Sequence, residues 1–224
     1  GLPYEAAWMF ADLAQTDIEL GDFDRAKERL DQALETMQAV GNPVEVGRML
    51  GLYGFYYASI GDAEAAEKYF EKALDNLRSH GSRHMTADVL MQQANFVFES
   101  GDDEAALEIL REGRRLAESV EVQPLVFQAG ILEARILKAQ GRLEEARERL
   151  ELLLTAVELP IEQAAVHDEL WQVTRKREHG EQALALYRSF IDDAPTLHHQ
   201  ERLDILEREF GEQVLEPVEK QANP

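Results

Sequence analysis

The sequence predicts an all-α protein built from copies of one helix–turn–helix unit. The first observation is a set of four glycines spaced forty residues apart: Gly21, Gly61, Gly101 and Gly141. The second is an alanine five residues after each glycine: Ala26, Ala66, Ala106 and Ala146. The third is that apolar residues on both sides of these glycines recur at spacings of three and four, the period of a helix. A unit copied at a fixed period indicates a repeat array, which offers an extended surface.

The second copy shows how the unit folds. Four apolar or small residues share one helical face: Leu50, Tyr53, Gly54 and Tyr57. Gly61 suits the end of that helix, because glycine accepts the left-handed conformation of a helix stop. Asp62 follows as a candidate N-cap of the next helix. The apolar stripe of that second helix consists of Ala65, Ala66, Tyr69, Phe70, Ala73 and Leu74.

The same layout predicts eleven helices, and the fifth copy is degenerate. Ala183, Tyr187 and Phe190 match the second helix of the unit, but Glu178 stands where the turn glycine is expected and Gly180 comes two residues later. The predicted helices run at about 4–20, 23–40, 43–60, 63–79, 83–100, 103–120, 124–140, 143–157, 161–177, 180–193 and 197–215.

The segment from Tyr53 to Leu74, YGFYYASIGDAEAAEKYFEKAL, resembles the core pattern of the tetratricopeptide repeat. The resemblance covers about residues 4–195 and implies a right-handed α-solenoid of about five pairs, each with its first helix on the concave side. The implied repeats are about 4–41, 42–81, 82–122, 123–159 and 160–195. The period of forty exceeds the usual 34, as in the extended repeats attached to bacterial histidine kinases, nucleotide or diguanylate cyclases and transcriptional activators.

The last helix, 196–216, carries a stripe of its own at near-heptad spacing: Leu203, Leu206, Phe210 and Val214. One interpretation is a helix that caps the open end of the stack. The alternative is the start of a coiled-coil linker to a further domain. We expect the tail 217–224 to be frayed.

The composition and the absence of certain motifs restrict the classes of function that the chain can have. A net charge of −21 disfavours nucleic acid as a partner. The sequence has no cysteine and no apolar run of membrane-spanning length, so a cytoplasmic location is expected, with a periplasmic one also compatible. Phosphate-loop and nucleophile-elbow motifs are absent, and the six histidines show no zinc-site spacing. We therefore expect no enzyme activity, no metal and no cofactor.

A candidate groove follows from the helical phase of the first helices. It comprises Arg48, Phe55, Met91, Asn95, Phe98, Gln128, Arg135, Lys138 and Arg175. The apolar members, Phe55, Met91 and Phe98, are typical anchors for a bound peptide. The alternative is that they pack against neighbouring first helices. The cationic members could accept an acidic segment or a terminal carboxylate through bidentate contacts, or they could be scattered by chance.

These observations favour a protein-interaction scaffold that binds a peptide or protein segment in its concave groove. The alternative hypothesis is a regulatory segment of a larger bacterial signalling protein, acting through self-association as a homodimer.

Overall fold

A computed structural model describes residues 2–191 and 197–210, and every regular element in these ranges is a helix. The helices are α1 Leu2–Glu19, α2 Phe23–Val40, α3 Pro43–Ser59, α4 Ala63–Ser79, α5 Arg83–Glu99, α6 Asp103–Ser119, α7 Gln123–Ala139, α8 Leu143–Ala156, α9 Pro160–Thr174, α10 Arg177–Phe190 and α11 Leu197–Phe210. The predicted fold class, an all-α array of paired helices, is confirmed. None of the described helices combines the length and apolarity needed to cross a membrane.

Left-handed turns separate the helices at intervals of twenty residues, half the spacing read from the sequence. A positive φ occurs at Gly21, Gly41, Gly61, Gly81, Gly101, Glu121 and Gly141. Gly61, for example, has a φ of 79° and a clear space around it, so the backbone angle alone requires glycine. The predicted caps after two of these glycines are confirmed: Asp62 accepts from the amide of Ala65 at 3.1 Å, and Asp102 from that of Ala105 at 3.0 Å.

The fifth pair was predicted about three residues out of register. Helix α9 ends at Thr174, and Arg175 adopts the left-handed turn with a φ of 56°. Gly180 lies inside α10 and is buried. A Cβ at Gly180 would lie 2.3 Å from the ring of Phe210 on α11. This glycine therefore admits the last helix and does not form the turn.

The chain divides into two compact units, Gly1–Leu132 and Glu133–Pro224, with the division inside α7. In unit 1, α1 packs on α2, α3 on α4 and α5 on α6, while α3 also contacts both α1 and α5. Small residues permit the close approaches: a Cβ at Gly54 of α3 would lie 2.6 Å from the ring of Phe70 on α4. Phe70 is the neighbour that requires this glycine.

In unit 2, α9 packs on α8 and α10, and α10 packs on α11. The apolar stripe of α11 is buried at Leu203, Leu206 and Phe210, in one cluster with Trp171 and Tyr187. These contacts are those of a helix that covers the last pair. Val214 and the predicted frayed tail lie outside the described residues.

Candidate functional site

Arg48 joins α1 to α3 at the centre of a group that we call the Arg48 cluster: Trp8, Asp12, Glu45 and Arg48, together with Asp88 of α5, whose carboxyl is influenced by the charge of Arg48. Arg48, on α3, reaches α1 and donates from Nη2 to Asp12 Oδ1 at 2.7 Å. Its guanidinium carbon lies 4.1 Å from the centre of the Trp8 ring. The arginine is thereby held by one ion pair and one cation–π contact, and its side chain is only 13 % exposed.

Glu45 is the buried member of the Arg48 cluster. It is 5 % exposed, one turn before Arg48 on the same helix. Tyr4 donates to Oε1 at 3.4 Å, whereas Oε2 makes no hydrogen bond and lies 3.9 Å from Arg48 Nη1, which also makes none. Burial raises the pKa of this carboxyl, and the charge of Arg48 offsets only part of that rise. Glu45 is therefore a desolvated carboxylate with incomplete pairing.

Asp88 lies on α5, half-buried, at the position forty residues after Arg48. Its hydrogen bond is a long one, from Gln92 Nε2 at 3.2 Å. Burial raises the pKa of Asp88, while the positive charges of Arg48 and His84 act in the opposite direction. The Arg48 cluster thus holds three carboxylates and a single arginine.

The other predicted groove residues of unit 1 differ in exposure. Phe55 is half-buried and packs on the apolar core of α1 to α3, as the packing alternative predicts. Phe98 is half-buried, Gln128 is exposed, and Asn95 donates to Glu99 Oε1 at 2.9 Å. Met91 is a correction: it is 6 % exposed, and its methyl group lies 2.6 Å from where a Cβ at Gly113 of α6 would be. Met91 faces the partner helix of its own pair and does not line a groove.

The predicted groove cations Arg135 and Lys138 of unit 2 already pair with a carboxylate of the same unit. Arg135 Nε donates to Glu169 Oε1 at 2.5 Å, and Lys138 donates to Glu169 Oε2 at 3.1 Å. Glu169 is 4 % exposed, so this buried carboxylate has two cationic partners. Arg175 is a second correction, because it lies in the turn after α9 with its guanidinium 5.3 Å from the Trp171 ring centre. It is not part of a first-helix face.

The neighbouring carboxylate of α9 is also fully paired. Asp168, 4 % exposed, accepts two hydrogen bonds of 2.6 Å from Nε and Nη2 of Arg202 on α11. This fork-to-carboxylate geometry is the strongest form of the ion pair, and the hydrogen bonds to Asp168 raise the pKa of Arg202.

A histidine pair joins α9 to α10. The Nδ1 atoms of His167 and His179 lie 3.0 Å apart. Burial lowers the pKa of both imidazoles, and for His167 the charge of His179 lowers it further. Within residues 2–191 and 197–210, no three histidine, aspartate or glutamate side chains come together in a group that could hold a metal.

Residues 45–119 match the family model described as tetratricopeptide repeat. These residues are tetratricopeptide repeats. The matched segment spans α3 to α6 and contains Glu45, Arg48 and Asp88. No curated protein sequence matches the chain.

Solved structures of tetratricopeptide proteins share the fold at low identity. The TPR-like repeats of a candidate kinesin light chain from Podosopora anserina match at a TM-score of 0.62 and 16 % identity, over 86 % of this chain and 97 % of that one. Yeast Tom70 matches at 0.63 and 16 %, over 93 % of this chain and 40 % of its own. Pseudomonas aeruginosa pilF matches at 0.57 and 17 %, over 96 % of both. At these identities the likeness shows the fold alone.

Helical phase placed Arg48, Arg135 and Lys138 on the groove side but missed Asp12, Glu45 and Arg202. Glu45 could have been found, because it lies three residues before Arg48 and so shares its helical face. Asp12 and Arg202 carried no such signal, since each meets its partner across 36 or 34 residues of chain. Those contacts follow from how the helices stack.

Proposed function

We propose that the chain is a protein-interaction module and that the adjacent first helices of unit 1, α1, α3 and α5, carry its binding face. The tetratricopeptide fold is that of a scaffold for protein–protein interactions, and proteins of this family are typically non-catalytic. The observation that carries the proposal is the Arg48 cluster, a set of polar and aromatic side chains that runs from helix to helix and has unused bonding capacity.

Phe98 and Asn95 extend this face along α5. Phe98 is half-buried and therefore keeps part of its ring available to a ligand. Asn95 has an amide whose present partner, Glu99, lies on its own helix. Partly exposed aromatic and amide groups on one face are the usual anchors of a bound segment, because they combine apolar area with hydrogen bonds.

The hypothesis of an acidic ligand receives less support from the geometry. Its cations Arg48, Arg135 and Lys138 already bind carboxylates of the chain itself. An acidic peptide would have to compete with Asp12 in unit 1 and with Glu169 in unit 2. The regulatory role in a larger signalling protein stays a prediction, which the domains encoded on either side of this segment would test.

The test is a selection of peptides from a displayed random library on the intact chain, followed by affinity measurement on point variants. We expect Phe98→Ala and Asn95→Ala each to weaken the selected peptides about tenfold, as interface anchors do. Leu152→Ala is the matched control, because Leu152 is an apolar side chain of α8 that is 61 % exposed. Equal losses in all three variants, or enrichment of no peptide, would contradict the proposal. Thermal melting of each variant verifies that it is folded.

A further inference from the structure

The Arg48 cluster holds fewer cations than carboxylates. Asp12, Glu45 and Asp88 contribute three carboxylates, and Arg48 forms its hydrogen-bonded ion pair with Asp12 alone. Glu45 Oε2 is left without a hydrogen bond although its side chain is 93 % buried, given an exposed fraction of 7 %. A buried carboxylate oxygen without a partner is costly, since it has lost its water and gained no donor.

The unused donor of Arg48 points to how the shortage is resolved. Arg48 Nη1 is buried, makes no hydrogen bond and lies 3.9 Å from Glu45 Oε2. The hydrogen bond from Nη2 to Asp12 holds the guanidinium towards α1. If a second cation neutralised Asp12 or Asp88, Arg48 could turn towards Glu45 and close that gap to hydrogen-bond length. The ligand would then complete two pairs, one directly and one through Arg48.

We propose that the Arg48 cluster recognises a lysine or arginine side chain of a basic protein segment, which pairs with Asp88 and Asp12 on the face formed by α1, α3 and α5. This inference rests on the proposed protein-binding function and names the chemistry of the partner. It reverses the charge of the ligand expected from the sequence.

The charge of the whole chain agrees with a basic partner. A net charge of −21 attracts cationic segments over long range and raises their association rate. Such attraction is not specific, because exposed acids cover the outer helices as well. Specificity comes from burial: Glu45 is almost fully buried and Asp88 is half-buried, and a charge pair is stronger at a desolvated carboxylate than on an exposed face.

Unit 2 supplies the internal contrast. Its buried carboxylates Asp168 and Glu169 have Arg202, Arg135 and Lys138 as hydrogen-bonded partners. They need no further cation from outside. The same kind of first-helix carboxylate is therefore satisfied in unit 2 and left incomplete in unit 1.

The experiment compares two labelled short peptides of equal length, one alternating lysine with leucine and one alternating glutamate with leucine, by fluorescence anisotropy on the intact chain. We expect the lysine peptide to bind more tightly. The double variant Glu45→Gln plus Asp88→Asn should weaken its binding at least about tenfold, the effect of losing charge-assisted hydrogen bonds.

Glu67→Gln plus Asp75→Asn is the matched control, because it removes the same two charges from exposed positions of α4. We expect it to change the affinity less than twofold, since exposed pairs contribute little. Equal weakening in both double variants would overturn the inference, because the attraction would then depend on net charge alone.

The remaining outcomes separate this inference from the proposed function. Preference for the glutamate peptide, weakened by Phe98→Ala, would overturn the basic-partner inference and leave a protein-binding face in place. Binding of neither peptide, together with no enrichment from the displayed library, would overturn both. A melting curve of the Glu45→Gln plus Asp88→Asn variant controls for folding.

Discussion

The carboxylates on the first helices are paired differently in the two units. In unit 2, Asp168 and Glu169 are held by hydrogen-bonded cations from α7 and α11. In unit 1, Arg48 forms a hydrogen bond with Asp12 alone, Glu45 Oε2 makes none, and burial raises the pKa of both Glu45 and Asp88. A fully paired carboxylate adds to the stability of the stack, whereas an incompletely paired one lowers it and is available to a ligand. This difference is the basis for our proposal that unit 1 carries the binding region.

The largest effect is expected from breaking the paired state of unit 2. Arg202→Ala should lower the free energy of unfolding by about 3–5 kcal/mol, because Asp168 would be left buried and uncompensated. Arg188→Ala is the control, since Arg188 of α10 pairs with Glu207 of α11 at an exposed site and should cost about 1 kcal/mol or less. Urea unfolding of both variants makes the measurement. Equal losses would show that Asp168 depends little on its arginine.

Removing the incomplete pairing of unit 1 should stabilise the chain. The folded-state pKa of Glu45 is raised, so its favourable contribution to stability exists only below the unfolded value, about 4.3. That contribution is lost as the pH rises through the folded pKa, and at neutral pH the carboxylate opposes folding. We expect Glu45→Gln to raise the free energy of unfolding at neutral pH by roughly 1–2 kcal/mol.

The gain from Glu45→Gln should disappear in acid, where the wild-type carboxyl is itself neutral. Chemical denaturation of wild type and variant at neutral pH and near pH 4 tests this. Glu67→Gln, an exposed exchange on α4, serves as the control and should show neither effect. A loss of stability at neutral pH would mean that Tyr4 and Arg48 compensate Glu45 fully.

One left-handed turn of unit 2 differs from the glycine turns, and a smaller effect is expected there. Six of the seven evenly spaced left-handed turns use glycine, whereas the turn after α9 uses Arg175. Arg175→Gly should raise the free energy of unfolding by about 0.5–1 kcal/mol, because it removes the Cβ clash of a left-handed residue. Lys176→Gly, at a φ of −74°, is the control and should not stabilise. Thermal melting distinguishes the two.

The smallest effect concerns the histidine pair of unit 2. The pKa of His167 and of His179 is lowered in the folded state, so their contribution to stability is present above the unfolded value, about 6.5. It is lost as the pH falls through the folded pKa, when two half-buried imidazoles must accept charge. We expect His167→Gln to reduce the loss of stability between about pH 7.5 and 5.5. An unchanged loss would contradict this origin.

The sequence predicted the helices closely because each boundary is coded locally. Asp62 and Asp102 cap their helices, and Gly61 and Gly101 supply the left-handed stop, all within a few residues of one another. The fifth pair was misplaced because Gly180 was interpreted as a degraded turn. Its actual role, to admit the ring of Phe210, depends on a residue thirty positions away.

The candidate site was predicted less well. The helical phase indicates which face a side chain lies on, but not which residues of other helices it contacts. Arg48 was correctly placed on a first helix, yet its neighbours Asp12 and Trp8 come from another repeat. Met91 was assigned to the groove by phase, but Gly113 leaves a space that draws its side chain towards α6. The sequence of one helix does not show where the neighbouring helices leave space for its side chains.

The sequence by itself determined the repeat, the helix ends and the acidic character of this protein, because these depend on backbone preferences and composition. Only the tertiary structure decided which charges are satisfied. Arg135, Lys138 and Arg202 meet buried carboxylates through stacking within unit 2, while Glu45 Oε2 is left without a hydrogen bond. Pairing energy depends on distance and desolvation, and both are set where helices distant in sequence come into contact.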